Sequence, residues 1–516
     1  MACARCSARG RLRSIGRVRV PLTILLVRHR TLRLARAHRS RENVNMSATV
    51  RNSMKSSRSP DNAGRAARRD IGKSLRRQVP RSTPARWKAH KKGRDPVEML
   101  QAIDLGRIPA LLPLRYGRML QSPFAFLRGA AAVMAFDLGR EPVTGARVQA
   151  CGDSHLLNFG IFATPERRLV FDINDFDETL PAPWEWDLQR LSASIMVAGR
   201  YCGFAEQHCA EAVLGAGRTY REKMGEYAGW TRLQVWYARV DAEQMLEIAS
   251  HPARAGVRRD GGPDAASLSA RPLPKLLTER KGKHRIKDDP PLTYHPAREK
   301  AFFALFRAAT LRYRRSLPAD RRALFDAYQV IDAAMKVVGV GSVGTVCAIV
   351  LLEADADDQV FLQVKQARTS VLEPYAGKSD YRNQGERVVV GQRMMQSASD
   401  LFLGWSQIGM PPTDFYFRQL RDVKVSVDLA ALGVAEFTDY SNHCAWALAR
   451  AHARTGDAAM IAGYLGSGDQ YDESLRRFAR SYADQTERDY AALAKAARSG
   501  RVRADLNLVE TPTRNL

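Results

Sequence analysis

The sequence predicts an α+β fold of two lobes, and three observations carry that expectation. Apolar residues recur at helical spacing in long stretches of the first half and at the end of the chain, as in WDLQRLSASIMVAGRYCGF and YDESLRRFARSYADQTERDYAALAKAAR. Short β-branched and apolar runs cluster in two separate places, at 147–180 and again over 336–430. Between them runs a polar, broken stretch, 251–297, that reads as a loop or insertion. The expected organisation is therefore a basic tail (1–69), a helical lobe holding the first strand cluster (70–250), the insertion (251–297), a helical connector (298–335), a strand-rich glycine-loop lobe (336–430) and closing helices (431–516).

The tail explains the composition. Residues 1–94 carry 27 Lys and Arg against three acids, a surplus of 24 out of the chain's +27, so the remaining chain holds only +3. A near-neutral body argues against nucleic-acid binding by the folded part, and leaves RNA, DNA or an anionic surface as possible partners of the tail alone. Its Arg, Ser and Ala content with little apolar periodicity predicts disorder, or a working start at Met46 or Met54. PLTILLV (21–27) is too short to span a bilayer. The seven cysteines are odd in number, and Cys3-x-x-Cys6 has no second pair to complete a zinc site. A cytoplasmic protein without a transmembrane segment is expected.

The elements follow in order. DPVEMLQAIDL and SPFAFLRGAAAVMAFDL read as helices, the second begun by Ser-Pro. VQAC and LVFDI, bounded by Gly, Pro and Asp, suggest a buried hairpin, after which AEQHCAEAVLGAGRTYREKMGEYAG returns to helix. AFFALFRAATLRYRRSLPADRRALFDAYQVIDAAM reads as a helical block. KVVGVGSVGTVCAIVLLE, ADADDQVFLQVKQA and FYFRQLRDVKVSVDL read as strands, with GERVVVGQRMMQSASDLFLGW as a helix between them.

Chemistry concentrates in three segments. CGDSHLLNFG (151–160) and LVFDINDFDE (169–178) place carboxylates at the ends of apolar runs, where burial is costly unless they meet something cationic. The third segment, Gly339-Val-Gly341-Ser342-Val-Gly344-Thr-Val346, matches G-x-G-x-x-G-x-V. A dinucleotide turn would open a helix, whereas TVCAIVLLE continues as strand. The order strand, glycine turn, strand, acidic turn and a third strand bearing Lys365 is similar to the phosphate-binding arrangement of protein kinases. Lys365 alone would read as a strand lysine with its ammonium in solvent. In the following helix Glu386 is the candidate partner of Lys365, with Glu373 as the alternative.

The early segments resemble the aminoglycoside kinases, whose loop reads G-D-x-H-x-x-N; Gly152, Asp153, His155 and Asn158 match it residue for residue. The resemblance implies that Asp153 accepts the acceptor hydroxyl's proton, with His155 orienting the loop or acting beside it. It implies that Asn158 and Asp175 hold Mg2+, a cation that suits hard oxygen ligands. Asp172 and Asp177 flank Asp175, and a shared strand face would give them supporting roles or leave them in solvent. Asp187, in WEWDLQRL, resembles the aspartate that braces the catalytic loop of those kinases. Through RYGRMLQSPFAFLRGAAA, CGDSHLLNFG, LVFDINDFDETLPAPWEWDLQRLSAS, KVVGVGSVGT, FLQVKQA and GERVVVGQRMMQ, residues 70 to 500 also resemble the bacterial domain-of-unknown-function 2252 family.

In kinases the glycine loop precedes the catalytic loop, whereas here it follows by nearly two hundred residues. The expectation is a protein-kinase-like fold in circularly permuted order, using ATP and Mg2+ to phosphorylate a small-molecule or protein hydroxyl. The glycines at 339, 341 and 344, with Ser342 and Lys365, would cradle the phosphates. Two other readings stand beside it: a nucleotide-binding protein of that fold without turnover, and a hydrolase with metals held by Asp153, His155, Asp172 and Asp175.

Overall fold

The computed structural model describes residues 64–90, 92–242, 276–280, 282–420, 424–425 and 427–506. Residues 1–63 of the predicted tail, and 251–275 of the predicted insertion, lie outside the described residues. Helix α1 (Arg65–Leu75) rests on a helix from the far end of the chain, and Gly72 permits this because a Cβ there would overlap the carbonyl of Met460. Residues 65–69 are thus helix rather than tail.

Helix α2 (Pro96–Asp104) starts where the Asp95 carboxylate accepts the Val97 and Glu98 N–H groups. Next come α3 (Leu112–Met119), α4 (Pro123–Gly129), capped by Ser122, and α5 (Ala131–Leu138). The single helix expected from Ser122 to Leu138 is broken at Ala130, whose backbone leaves the helical region (φ −115, ψ 32).

The first strand cluster pairs differently from the expected hairpin. Strand β1 (Arg147–Ala150) runs antiparallel to β4 (Leu180–Pro183), while β2 (Phe159–Ala163) and β3 (Leu169–Ile173) pair with each other between them. VQA and LVFDI are therefore in different sheets. Helix α6 (Trp184–Tyr201) is buried from Trp184 through Gly199, so both its polar and apolar faces meet protein. Helices α7 (Glu206–Tyr227) and α8 (Arg232–Tyr237) follow, and β5 (Val240–Asp241) pairs with β3.

Within the predicted insertion, β6 (Leu277–Arg280) and β7 (Lys283–Ile286) form a hairpin, followed by β8 (Thr293–Tyr294). The expected helical block resolves into α9 (Glu299–Tyr313), α10 (Ala319–Asp326) and a strand, β9 (Gln329–Lys336). QVIDAAMK is strand because its alternate residues meet two different cores: Ala333 and Met335 pack under α9, while Ala334 packs with Ile286, Ile349 and Phe361 on the other face. Strands β10 (Cys347–Asp355) and β11 (Asp358–Gln366) continue the sheet. After α11 (Glu373–Ala376) and α12 (Gln384–Met395), β12 (Gly404–Ile408) and β13 (Thr413–Gln419) complete it in the order β12-β13-β11-β10-β9-β8, antiparallel throughout.

The chain then returns to the first region. Strand β14 (Lys424–Val425) pairs with β2, and α13 (Val434–Thr455), α14 (Ala458–Leu465) and α15 (Gln470–Arg498) pack on α6, α7 and α1. The architecture is mixed helix and sheet, as the α+β expectation states. Among the described residues no helix is long and apolar enough to cross a membrane.

Candidate functional site

Register on the large sheet builds one wall of the site. Lys365 on β11 stands opposite Tyr416 on β13, and Gln363 opposite Arg418, so these polar groups share one face while Leu362, Val364, Phe415 and Phe417 point to the core under α9. The Lys365 Nζ reaches across to the first region, 2.8 Å from the Asp177 Oδ2 and 3.3 Å from the Asp175 Oδ2. Tyr416 donates its hydroxyl to Asp177 at 2.7 Å, and Arg418 donates to the Asn174 carbonyl at 3.0 Å. Burial alone would raise the Asp175 carboxyl, but Lys365 and Arg418 outweigh it and hold the pKa down at about 2. Burial would likewise lower the Lys365 ammonium, and Asp175 and Asp177 reverse that.

The glycine segment joins β9 to β10 and closes onto the same acids. Gly339 and Gly344 have φ of +65° and +88°, backbone that side chains rarely adopt. Ser342 donates to the Asp177 Oδ2 at 3.1 Å, and the Ile108 N–H donates to the Gly344 carbonyl at 2.7 Å. Gly341 lies beside the helical segment, since a Cβ on it would stand 3.4 Å from the Arg128 carbonyl.

The 151–154 loop supplies the opposite wall. Gly152, at φ +83°, turns so close to Glu178 that a Cβ would clash with its carbonyl. From the first turn of α6, Asp187 accepts the Cys151 and Gly152 N–H groups at 2.6 and 2.9 Å, and its other partner is the His452 Nε2 at 3.2 Å. One helical turn on, Arg190 donates from Nε and Nη2 to the Asp153 Oδ1 at 3.0 and 2.8 Å. Burial raises the Asp153 carboxyl above its ordinary pKa, with Arg190 opposing. His155 is driven well below the usual histidine value by burial and by Arg128 and Arg190, which makes it a neutral imidazole 4.0 Å from Asp153. The Asn158 Nδ2 donates to the carbonyls of Asp153 and Asp175, both at 3.0 Å, which commits its nitrogen and leaves its oxygen as the available donor atom for a cation.

Two expectations need correction. Asp172 neither shares the face of Asp175 nor meets solvent: it stands three positions away, on β3 itself, where Val170 to Ile173 are buried on both faces. There it is fully buried against Arg450 at 2.6 Å and accepts from the Ser397 N–H and hydroxyl at 2.8 and 2.9 Å. A metal set drawing on Asp172 is therefore not assembled, and among the described residues no three His, Cys, Asp or Glu side chains are placed to hold a metal ion. Glu386 does not pair with Lys365, and neither does Glu373, which accepts from Gln384. Asp175 and Asp177 hold the ammonium, and it is the next residue of α12, Arg387, that faces the acidic segment, donating to the carbonyls of Asp177, Thr179 and Arg368.

Arg190, Tyr416, Arg418 and Arg387 were not among the sequence candidates. Arg190 had a readable signal, its three-residue spacing from Asp187 on one helix face. The others depend on strand register and helix phase, which motif spacing does not carry.

A family model described as an uncharacterised protein conserved in bacteria, DUF2252, matches residues 107–496. That span includes all three chemical segments. No curated protein and no solved structure matches the chain.

Proposed function

Because the chain belongs to the uncharacterised bacterial DUF2252 family, which brings no activity with it, we propose from the site's geometry that it is an ATP- and Mg2+-dependent phosphotransferase of kinase-like, permuted architecture acting on a hydroxyl acceptor. The observation that carries this reading is the contact of Lys365 with Asp175 and Asp177, 190 and 188 positions away, beneath a glycine turn that reaches Asp177 through Ser342. A structural lysine has no need of a glycine turn beside it. A phosphate-binding lysine does.

Each residue then has a role. Lys365 leaves its carboxylate partners for the nucleotide phosphates, and the glycine turn lets the backbone approach them. The Asn158 oxygen and the ionised Asp175 are a hard-oxygen pair that fits Mg2+. Mg2+, when bound, offsets phosphate charge. Asp153 receives the acceptor's proton on Oδ2, the oxygen that Arg190 leaves free, while neutral His155 stands beside it. Asp187 fixes the loop that presents Asp153.

The test is Mg2+-dependent ATP binding to the wild type, Asp175→Ala and Lys365→Met, followed by an acceptor screen. Binding by the wild type with loss in both variants supports the reading. Affinity unchanged in both variants would remove it. Arg190 occupies the Asp153 Oδ1 with two hydrogen bonds and opposes the rise that burial gives its pKa, and this favours a second reading: a nucleotide-binding protein without turnover. ATP binding with no phosphate transferred to any acceptor or to water would select it.

A further inference from the structure

Beside the glycine turn lie two arginines that no carboxylate contacts among the described residues. Arg118, at the end of α3, is buried and donates from Nη1 to the Gly339 carbonyl. Arg128, in the last turn of α4, has its carbonyl against Gly341, and its Nε is buried without a hydrogen-bond partner. Among the described residues neither forms an ion pair, although every other arginine near the turn is committed: Arg107 to Asp104 and the Val343 carbonyl, Arg115 to Asp104, Arg368 to the carbonyls of Ile103 and Leu105, Arg190 to Asp153. Asp153 attracts the Arg128 guanidinium from beyond ion-pair distance, and Arg118 opposes it.

Two cations held in low dielectric with no carboxylate in contact are costly to bury, and burial depresses the pKa of both. The arrangement becomes favourable when an anion arrives. Guanidinium forks suit phosphate oxygens in particular.

We propose that Arg118 and Arg128 form an anion subsite between the glycine turn and Asp153, and that it takes the terminal phosphate of a polyphosphate ligand. The inference rests on the phosphotransferase reading for its geometry: the phosphoryl group in transit must lie between the turn that holds the nucleotide and the carboxylate that receives the acceptor's proton, and Arg128 has its carbonyl beside Gly341 and its guanidinium within the field of Asp153. Charge on the transferring group is then met by two arginines from the helical segment, in addition to Lys365 from the sheet.

The experiment is calorimetric titration of the full chain with tripolyphosphate, pyrophosphate, ATP and ADP, for the wild type, Arg118→Gln, Arg128→Gln and Lys365→Met. Loss of one charge-assisted contact predicts roughly ten- to hundredfold weaker tripolyphosphate binding in each arginine variant. Their preference for ATP over ADP should also collapse, while Lys365→Met weakens both nucleotides alike. Thermal melts verify folding, and if Arg128→Gln does not fold, Arg118→Gln and the charge-preserving Arg128→Lys carry the comparison. Wild type that binds tripolyphosphate but not ATP would keep the subsite and remove the nucleotide reading. Wild type that binds neither polyphosphate, or arginine variants that bind both as the wild type does, would overturn the subsite.

Discussion

Two ion pairs lie three residues apart on the same acidic segment and differ in one respect. Asp172 and Arg450 are sealed, with no exposed side-chain surface on either, whereas Asp175 keeps 39% of its side chain exposed beside a Lys365 that keeps 3%. The sealed pair has its remaining carboxylate oxygen filled by Ser397, so both oxygens of Asp172 are committed. The half-open pair shares one lysine between two carboxylates, and its carboxylate side faces outward. Similar chemistry therefore takes two forms: a buried pair fixes α13 to β3, and a half-open pair keeps part of its carboxylate surface in solvent.

Breaking each pair should give opposite signatures. Asp172→Ala strands the buried Arg450 guanidinium and should cost about 3–5 kcal/mol of stability, measured as a fall in the urea midpoint. Asp175→Ala, by contrast, should cost about 1 kcal/mol or less, because Lys365 keeps Asp177, while Mg2+-dependent nucleotide affinity is lost. Equal destabilisation by the two changes would erase the distinction. Asp153→Asn should lower turnover by roughly 10²–10⁴-fold with nucleotide affinity nearly unchanged, read from kcat against the ATP Kd.

Glu185 sharpens the comparison as a sealed carboxylate with no cation. It accepts from the Thr144 N–H and hydroxyl at 2.8 and 2.6 Å, and burial nonetheless raises its pKa from 4.5 to about 7. The folded state thus holds a proton that the unfolded chain releases, so this contribution is complete below pH 4.5 and is lost as pH rises through about 7. Stability should fall over that window by up to about 3 kcal/mol, and Glu185→Gln should flatten the profile when denaturation is followed from pH 5 to 8. The smallest effect is expected from Ser342→Ala, about 0.5–1 kcal/mol, seen as faster amide exchange in the glycine turn.

Motif spacing located the residues whose neighbours are close in sequence. Asp153, Asn158 and the glycine turn are each set by a few consecutive positions, and Asp187 by the first turn of a helix, so local pattern was enough to single them out. The expected hairpin failed because β1 finds its partner beyond an inserted β2–β3 pair, a pairing that composition does not encode. QVIDAAM misread as helix because Ala and Met suit helices, and two-sided burial in a sheet overrode that propensity. Glu386 in place of Arg387 is an error of one residue, about 100° of helix phase, and only the packing of α12 against the sheet settles it. The role of Asp172 was hidden because its counter-ion comes from Arg450, 278 positions later.

Chain order has a practical outcome for anyone cutting this protein into pieces. The helix that carries Asp187 and Arg190 is walled in by α15, and β2, next to Asn158, is joined by a strand from beyond residue 420. A fragment ending before the last helices would retain every early motif and still leave the helix of Asp187 and Arg190 unsupported, its greasy flank bare to water and prone to clump. Expression trials should therefore trim from the front of the chain.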